Sequence, residues 1–291
     1  MGDFEAKGDE FAKKADKKLK SFSLFGSSSK YEDGAELLDK AANQYKLGKA
    51  WEKAGETYVH LSEVHKKLES EHEAASALVD AANAYRKVNS AKALECMQNA
   101  VGIFTNIGRL SMAAKHLKDI AEIYEKEDNA EDALTFYQQA ADLYAGEEVN
   151  STSNQCKLKV AQFAAQLEQY PKAVEIYEEI AKSSLDNNLL RYSVKGYLLN
   201  AGLCHLAAGD VVNIRNAIDK YQELDLSFSG TRECKFIQDL ADAIEEGEVQ
   251  KFTEVVYQFD SMTRLDPWKT TLLLRTKQNI TAKEQEEDDL T

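Results

Sequence analysis

The chain is predicted to be all-α: a tetratricopeptide-like solenoid of helical hairpins capped by a C-terminal helical bundle. Three observations carry this prediction. Small residues and an aromatic recur together at Ala41-Ala42-Asn43-Gln44-Tyr45, Ala81-Ala82-Asn83-Ala84-Tyr85, Ile120-Ala121-Glu122-Ile123-Tyr124 and Val160-Ala161-Gln162-Phe163. The step is about 40 residues, the period of stacked helical hairpins. A second series, Ala100-Val101-Gly102-Ile103-Phe104 and Ala140-Ala141-Asp142-Leu143-Tyr144, falls midway, so each hairpin divides into halves of about 20 residues. Finally, the two prolines, Pro171 and Pro267, both suit helix starts, and no stretch alternates apolar and polar residues as a strand would. Alanine lets two helices approach closely, and an aromatic from the next helix fills the gap beside it.

Taken in order, residues 1–30 form an N-terminal unit. Residues 1–20 read as a charged helix in which Phe4, Phe11 and Leu19 are too sparse for a deep core. The Ser21-Phe22-Ser23-Leu24-Phe25-Gly26-Ser27-Ser28-Ser29 segment has turn composition and follows a run of lysines from Lys13 to Lys20. Either Phe22, Leu24 and Phe25 tuck under the first hairpin, or they dip into a bilayer whose anionic headgroups attract the lysines. Residues 31–186 carry the repeat, with Gly108, Gly146 and Asn187-Asn188 at turns. Lys49, Arg86, Lys87, Arg109, Lys115, Lys157 and Lys159 punctuate it, either as ordinary solvated charges or as a basic stripe.

Beyond Asp186 the repeat blurs. Leu189-Leu190-Arg191-Tyr192 and Tyr197-Leu198-Leu199 are expected to begin longer apolar faces. Further amphipathic helices are expected at Val211–Leu224, Phe236–Ile244, Phe252–Phe259 and Trp268–Ile280, so residues 187–283 read as the capping bundle. Its surface is acidic, with Asp239, Asp242, Glu245, Glu246, Glu248, Glu254 and Asp260. Residues 284–291 read as a solvated, disordered acidic tail. Leu290 is the oddity, since a solubilising tail has no use for a large apolar side chain.

Composition excludes several function classes. A net charge of −14 argues against non-specific nucleic-acid binding, which needs a basic footprint. Cys96, Cys156, Cys204 and Cys234 are far apart, which suits reduced, semi-buried thiols in a reducing compartment. No signal-peptide core or membrane-spanning run is present, so a cytoplasmic protein is expected. The five histidines, His60, His65, His72, His116 and His205, form no ligand cluster; His72-Glu73 lacks the second histidine of a zinc motif, and Gly26-Ser27-Ser28-Ser29-Lys30 lacks phosphate-loop spacing. No catalytic residues, metal or cofactor are expected. A binding scaffold is favoured over a hydrolase.

Colinear segments along the chain carry a resemblance. They include Ile107-Gly108-Arg109 with Ala113-Ala114-Lys115, Gly146-Glu147-Glu148 with Asn154-Gln155-Cys156, and Ala164-Ala165-Gln166-Leu167-Glu168-Gln169-Tyr170. Arg232-Glu233-Cys234-Lys235, Phe259-Asp260-Ser261-Met262-Thr263-Arg264-Leu265-Asp266, Trp268 with Leu273-Leu274-Arg275, and the penultimate Leu290 continue the series. Together they resemble the soluble NSF attachment proteins of the alpha type. The resemblance implies an adaptor, not an enzyme, that wraps the SNARE four-helix complex (syntaxin, SNAP-25-like and synaptobrevin-like chains). It also implies recruitment of the hexameric AAA ATPase NSF to take that complex apart. By the same resemblance Arg109, Lys115 and Lys159, with Lys49 and Lys87, occupy SNARE-binding positions, and Leu189 an apolar contact. Gln155 stands where mammalian-type members have lysine. Asp242, Glu245 and Glu246 match the ATPase-binding acids, Leu290 the residue that stimulates ATP hydrolysis, and Phe22, Leu24 and Phe25 a loop making weak, peripheral membrane contact. The rival from another class is a tetratricopeptide co-chaperone, whose peptide clamp needs a local Lys/Asn/Arg set; here the bases are spread over many hairpins.

Overall fold

The computed structural model describes residues 2–21 and 27–288 of the chain, omitting the side chains of residue 27 and of 283–288. Phe22, Leu24, Phe25 and Leu290 lie outside the described residues. Those residues form fourteen α-helices, two short 3₁₀ turns and no strand. The helices are α1 (Gly2–Lys20), α2 (Ser27–Leu47), α3 (Trp51–Lys67), α4 (Glu71–Tyr85), α5 (Ser90–Asn106), α6 (Leu110–Lys126), α7 (Ala130–Gly146), α8 (Asn150–Gln166), α9 (Tyr170–Leu185), α10 (Val194–Ala207), α11 (Val211–Leu224), α12 (Arg232–Glu245), α13 (Val249–Met262) and α14 (Pro267–Asp288). From α3 to α9 the helix starts recur about every 20 residues, as the repeat predicts. The chain divides into two compact units: residues 1–126 with 139–153, and residues 127–138 with 154–291.

Small-against-aromatic packing builds the first unit. A Cβ added at Gly8 of α1 would lie 2.6 Å from the Tyr45 ring of α2, and one at Gly55 of α3 would lie 2.6 Å from the Tyr85 ring of α4. Ala41, Tyr45, Ala54 and Ala84 form a buried cluster that Phe11 and Ala12 of α1 cover. Helix α1 is therefore part of the packed array, held by small residues although its large apolar side chains are sparse. Charge fixes its register: the Tyr45 hydroxyl donates to Asp9 at 2.7 Å, and Lys53 Nζ lies 2.9 Å from Glu5 and 3.0 Å from Asp9. The Tyr45 hydrogen bond and then Lys53 hold the Asp9 carboxyl below its usual range.

The turns share one geometry. Lys49, Glu69, Asp128, Glu148 and Glu168 have φ between 57° and 61°, and Gly108, Gly209 and Gly247 between 71° and 79°. In most of these turns the next residue's N–H reaches back five residues, as in Ala50 to Tyr45 (2.9 Å), Arg109 to Phe104 (2.8 Å) and Gln169 to Ala164 (2.8 Å). This left-handed cap satisfies carbonyls that a helix end leaves unpaired. The α4–α5 turn differs: Asn89, in extended conformation, caps α5 by accepting from the Lys92 N–H.

In the second unit, Tyr137 stacks on Phe163 (centroids 6.0 Å apart), Tyr177 on Trp268 (6.2 Å) and Phe236 on Phe259 (4.0 Å). Helix α10 is buried widely around its circumference, and Gly202 admits Ile237 of α12, whose Cδ1 would lie 2.5 Å from an added Cβ. All four cysteines are buried, and none is in a disulfide.

Three local expectations differ from the structure. Ser27–Ser29 belong to α2, not to the preceding turn-like segment. Leu189–Tyr192 begin no apolar helical face: they lie in a turn and a 3₁₀ segment, with Leu189 90% and Tyr192 81% exposed. Asn187 redirects the chain there, its side chain accepting from the Leu189 N–H at 2.9 Å. The backbone of 284–288 continues α14 where a disordered end was expected. The residues from Ala282 to Glu287 are good helix formers with no glycine or proline among them.

Candidate partner-binding surfaces

The predicted basic residues are carried by both units. Lys49, Lys87, Arg109 and Lys115 belong to the first, and each is exposed. Short turns make successive helices antiparallel, so alternate turns fall on opposite edges of the array. Lys49 (α2–α3 turn) and Lys87 (α4–α5 turn) therefore share an edge, while Arg109 (α5–α6 turn) lies at the other. Arg109 is placed rigidly, because its N–H closes the turn on Phe104 and its carbonyl accepts from Ala113 at 3.0 Å. Lys115 follows on α6, whose opposite side buries Ala113, Ala114, Leu117 and Ile120. Among the described residues none of these four bases is seen in an ion pair, so each has its charge available to a partner.

Lys159 belongs to the second unit and differs in setting. It is half-buried on α8 and, with Gln155, Tyr197, Asn200 and Trp268, lines a cavity of about 370 Å³. Leu189 stands nearly free of the protein. Leu226, 84% exposed, was not singled out from sequence. Arg191 lies 4.0 Å from Asp225, tying the linker that carries Leu189 and Tyr192 to the α11–α12 connection that carries Leu226. No spacing in the sequence announces that grouping.

Asp242, Glu245 and Glu246 gather at the C-terminal turn of α12. Carboxylates there oppose the helix dipole, whose C-terminal end is already negative. Basic residues offset this. Arg215 Nη2 lies 2.5 Å from Asp242 Oδ1 and 2.9 Å from Glu245 Oε2, and Lys251 pairs with Glu246. Beside them a cavity of about 340 Å³ is lined by Leu206, Val211, Ile244 and Ile280. Acids on the rim of an apolar depression suit basic side chains with long aliphatic stems.

A cavity of about 640 Å³ between α9, α10 and α11 is lined by Glu178, His205, Lys220 and Tyr221. Burial opposes ionisation of Glu178, but the His205 ring 4.0 Å away, Lys220 and the Tyr221 hydroxyl at 2.8 Å outweigh it and hold the carboxyl down to about 2. These groups satisfy one another, so the cluster joins helices. His116 is likewise structural, stacked on Phe104 at 5.6 Å with Nδ1 3.1 Å from Asp119. No group of metal-ligating side chains occurs among the described residues.

Residues 6–281 match the family described as soluble NSF attachment protein, SNAP. The chain belongs to the soluble NSF attachment protein family. An alpha-soluble NSF attachment protein of Vitis vinifera is 56% identical over the whole of both chains. The alpha-soluble NSF attachment protein of Mus musculus is 47% identical over 90% of this chain and 89% of its own. A probable vesicular-fusion protein, the sec17 homologue of Schizosaccharomyces pombe, is 37% identical over 97% of this chain and 98% of its own. Membership therefore extends across both units, and the exposed bases and the α12 acids all fall within the matched span.

Proposed function

We propose that this family member is a non-catalytic adaptor in vesicle fusion and intracellular transport. It binds assembled SNARE complexes, recruits NSF and stimulates the ATP hydrolysis that takes those complexes apart. Lys49, Lys87, Arg109, Lys115, Lys159 and Leu189 meet the SNARE bundle. Asp242, Glu245, Glu246 and Leu290 serve the ATPase. Phe22, Leu24 and Phe25 give a weak, peripheral foothold on the cytosolic face of membranes; no described helix is long and apolar enough to cross one. In this division residues 31–186 hold the SNARE complex and 187–283 the ATPase, flanked by the N-terminal unit 1–30 and the tail 284–291.

The observation that carries the reading is full-length relationship to proteins named for NSF attachment. The exposed first-unit bases support it, since an acidic chain presenting uncompensated cations is suited to an acidic partner. Leu189, 90% exposed, is accessible to an apolar contact. The test is retention on immobilised, assembled SNARE complex with single SNARE chains as control, followed by NSF and ATP. Complex-selective binding and ATP-dependent release are expected. Equal retention on single chains, or none from a folded protein, would overturn the reading.

A further inference from the structure

The acids that end α12 are already occupied. Arg215, on α11, brings one guanidinium nitrogen to Asp242 (2.5 Å) and Glu245 (2.9 Å), while Lys251, on α13, holds Glu246. Two cations of the chain itself thus sit on three carboxylates assigned above to the ATPase. The pairs remain accessible: Arg215 is 39%, Asp242 42% and Glu245 61% exposed. Exposed pairs are individually weak and screened by salt, so an incoming cation can replace them without disturbing the helices. Arg215 also reaches both acids through the same Nη2 atom, so its withdrawal frees two carboxylates together.

We propose that NSF engages this patch by ion-pair exchange, with Arg215 as an internal competitor that its basic side chains must displace. The inference rests on the assignment of Asp242 and Glu245 to the ATPase, and it deepens that assignment by naming a residue that sets the affinity. Its direction is opposite to that of an organising role. A residue that merely positioned the acids would weaken binding when removed; a competitor strengthens it. The exchange also carries a cost in register, since the partner has to match two acids one helical turn apart, which favours ordered basic grooves over scattered charge.

The test uses the full-length chain loaded on assembled SNARE complex and titrated with hexameric NSF held by a non-hydrolysable ATP analogue. Arg215→Gln is expected to tighten NSF binding roughly two- to fivefold, the range that loss of exposed pairs allows. Lys251→Gln, which frees Glu246, should act in the same direction and guards against a folding defect in the first variant. In an Asp242→Asn/Glu245→Gln background, NSF binding should be weaker and the gain from Arg215→Gln should vanish. Unchanged or weaker binding by both single variants, with native circular dichroism and melting, overturns the competitor role. So does a gain that persists when both acids are neutral. If Asp242→Asn/Glu245→Gln binds NSF as the parent does, the assignment of the acids fails, and the inference with it; that outcome is distinct from an organiser's, in which the acids matter but removing Arg215 weakens binding.

Discussion

Gly55 shows how much one atom decides. An added Cβ would lie 2.6 Å from the Tyr85 ring, inside any tolerable contact, and the ring has buried neighbours that limit its retreat. Gly55→Ala is expected to cost about 1–3 kcal/mol, the range of an overpacked core, read as a lower denaturation midpoint. Glu178 is the polar counterpart. Its carboxyl is held down to about 2, against 4.5 for an ordinary glutamate, so its contribution is full above about pH 4.5 and disappears as pH falls through about 2. Glu178→Gln should cost about 1–3 kcal/mol at neutral pH and flatten the acid limb of the stability profile. Melting curves from pH 7 to pH 2 test both effects; an unchanged acid limb would show that Glu178 is not the titrating group.

At the scale of the helices and their joints, the turns hold the unusual chemistry. Charged residues occupy left-handed positions at Lys49, Glu69, Asp128, Glu148 and Glu168, where glycine is favoured. Glu168→Gly relieves that strain but adds chain entropy to the unfolded state, so a net gain of about 0.5–1 kcal/mol is expected. Gly108→Ala, at φ 71° with open space around its Cβ position, should lose about 1 kcal/mol for the opposite reason. Denaturant titration of the two variants checks the opposed signs. The turn geometry also explains the helix spacing: each left-handed cap is the middle of three residues that separate one helix from the next.

For the whole molecule, the proposed function would rest on several weak contacts acting together. Exposed charges contribute about 0.2–1 kcal/mol each, so single substitutions at Arg109 or Lys115 should be mild. Joint reversal of Arg109, Lys115 and Lys159 to glutamate should weaken binding to SNARE complex by an order of magnitude or more, by accumulation of such terms and added repulsion. Solution affinity at several salt concentrations tests it, and undiminished binding at physiological salt would refute the basic contact. A membrane foothold would raise effective concentration without new affinity. Replacing Phe22, Leu24 and Phe25 by serine should therefore slow disassembly on liposomes and leave detergent reactions unaltered.

The small-aromatic period by itself determined that the chain is helical and that helices of the array recur about every 20 residues. Helix periodicity is local, and a residue's neighbours at three and four positions are known from sequence alone. The colinear segments likewise determined the family. Only the tertiary structure decided that α1 joins the first core through Gly8 and Ala15, because the value of a small residue depends on which ring faces it. It alone set Arg109 on the edge opposite Lys49 and Lys87, and brought Arg215 onto Asp242 and Glu245, 27 and 30 residues away. Pairings between helices follow from the angles at which their surfaces pack, and those angles are absent from the order of residues along any one helix.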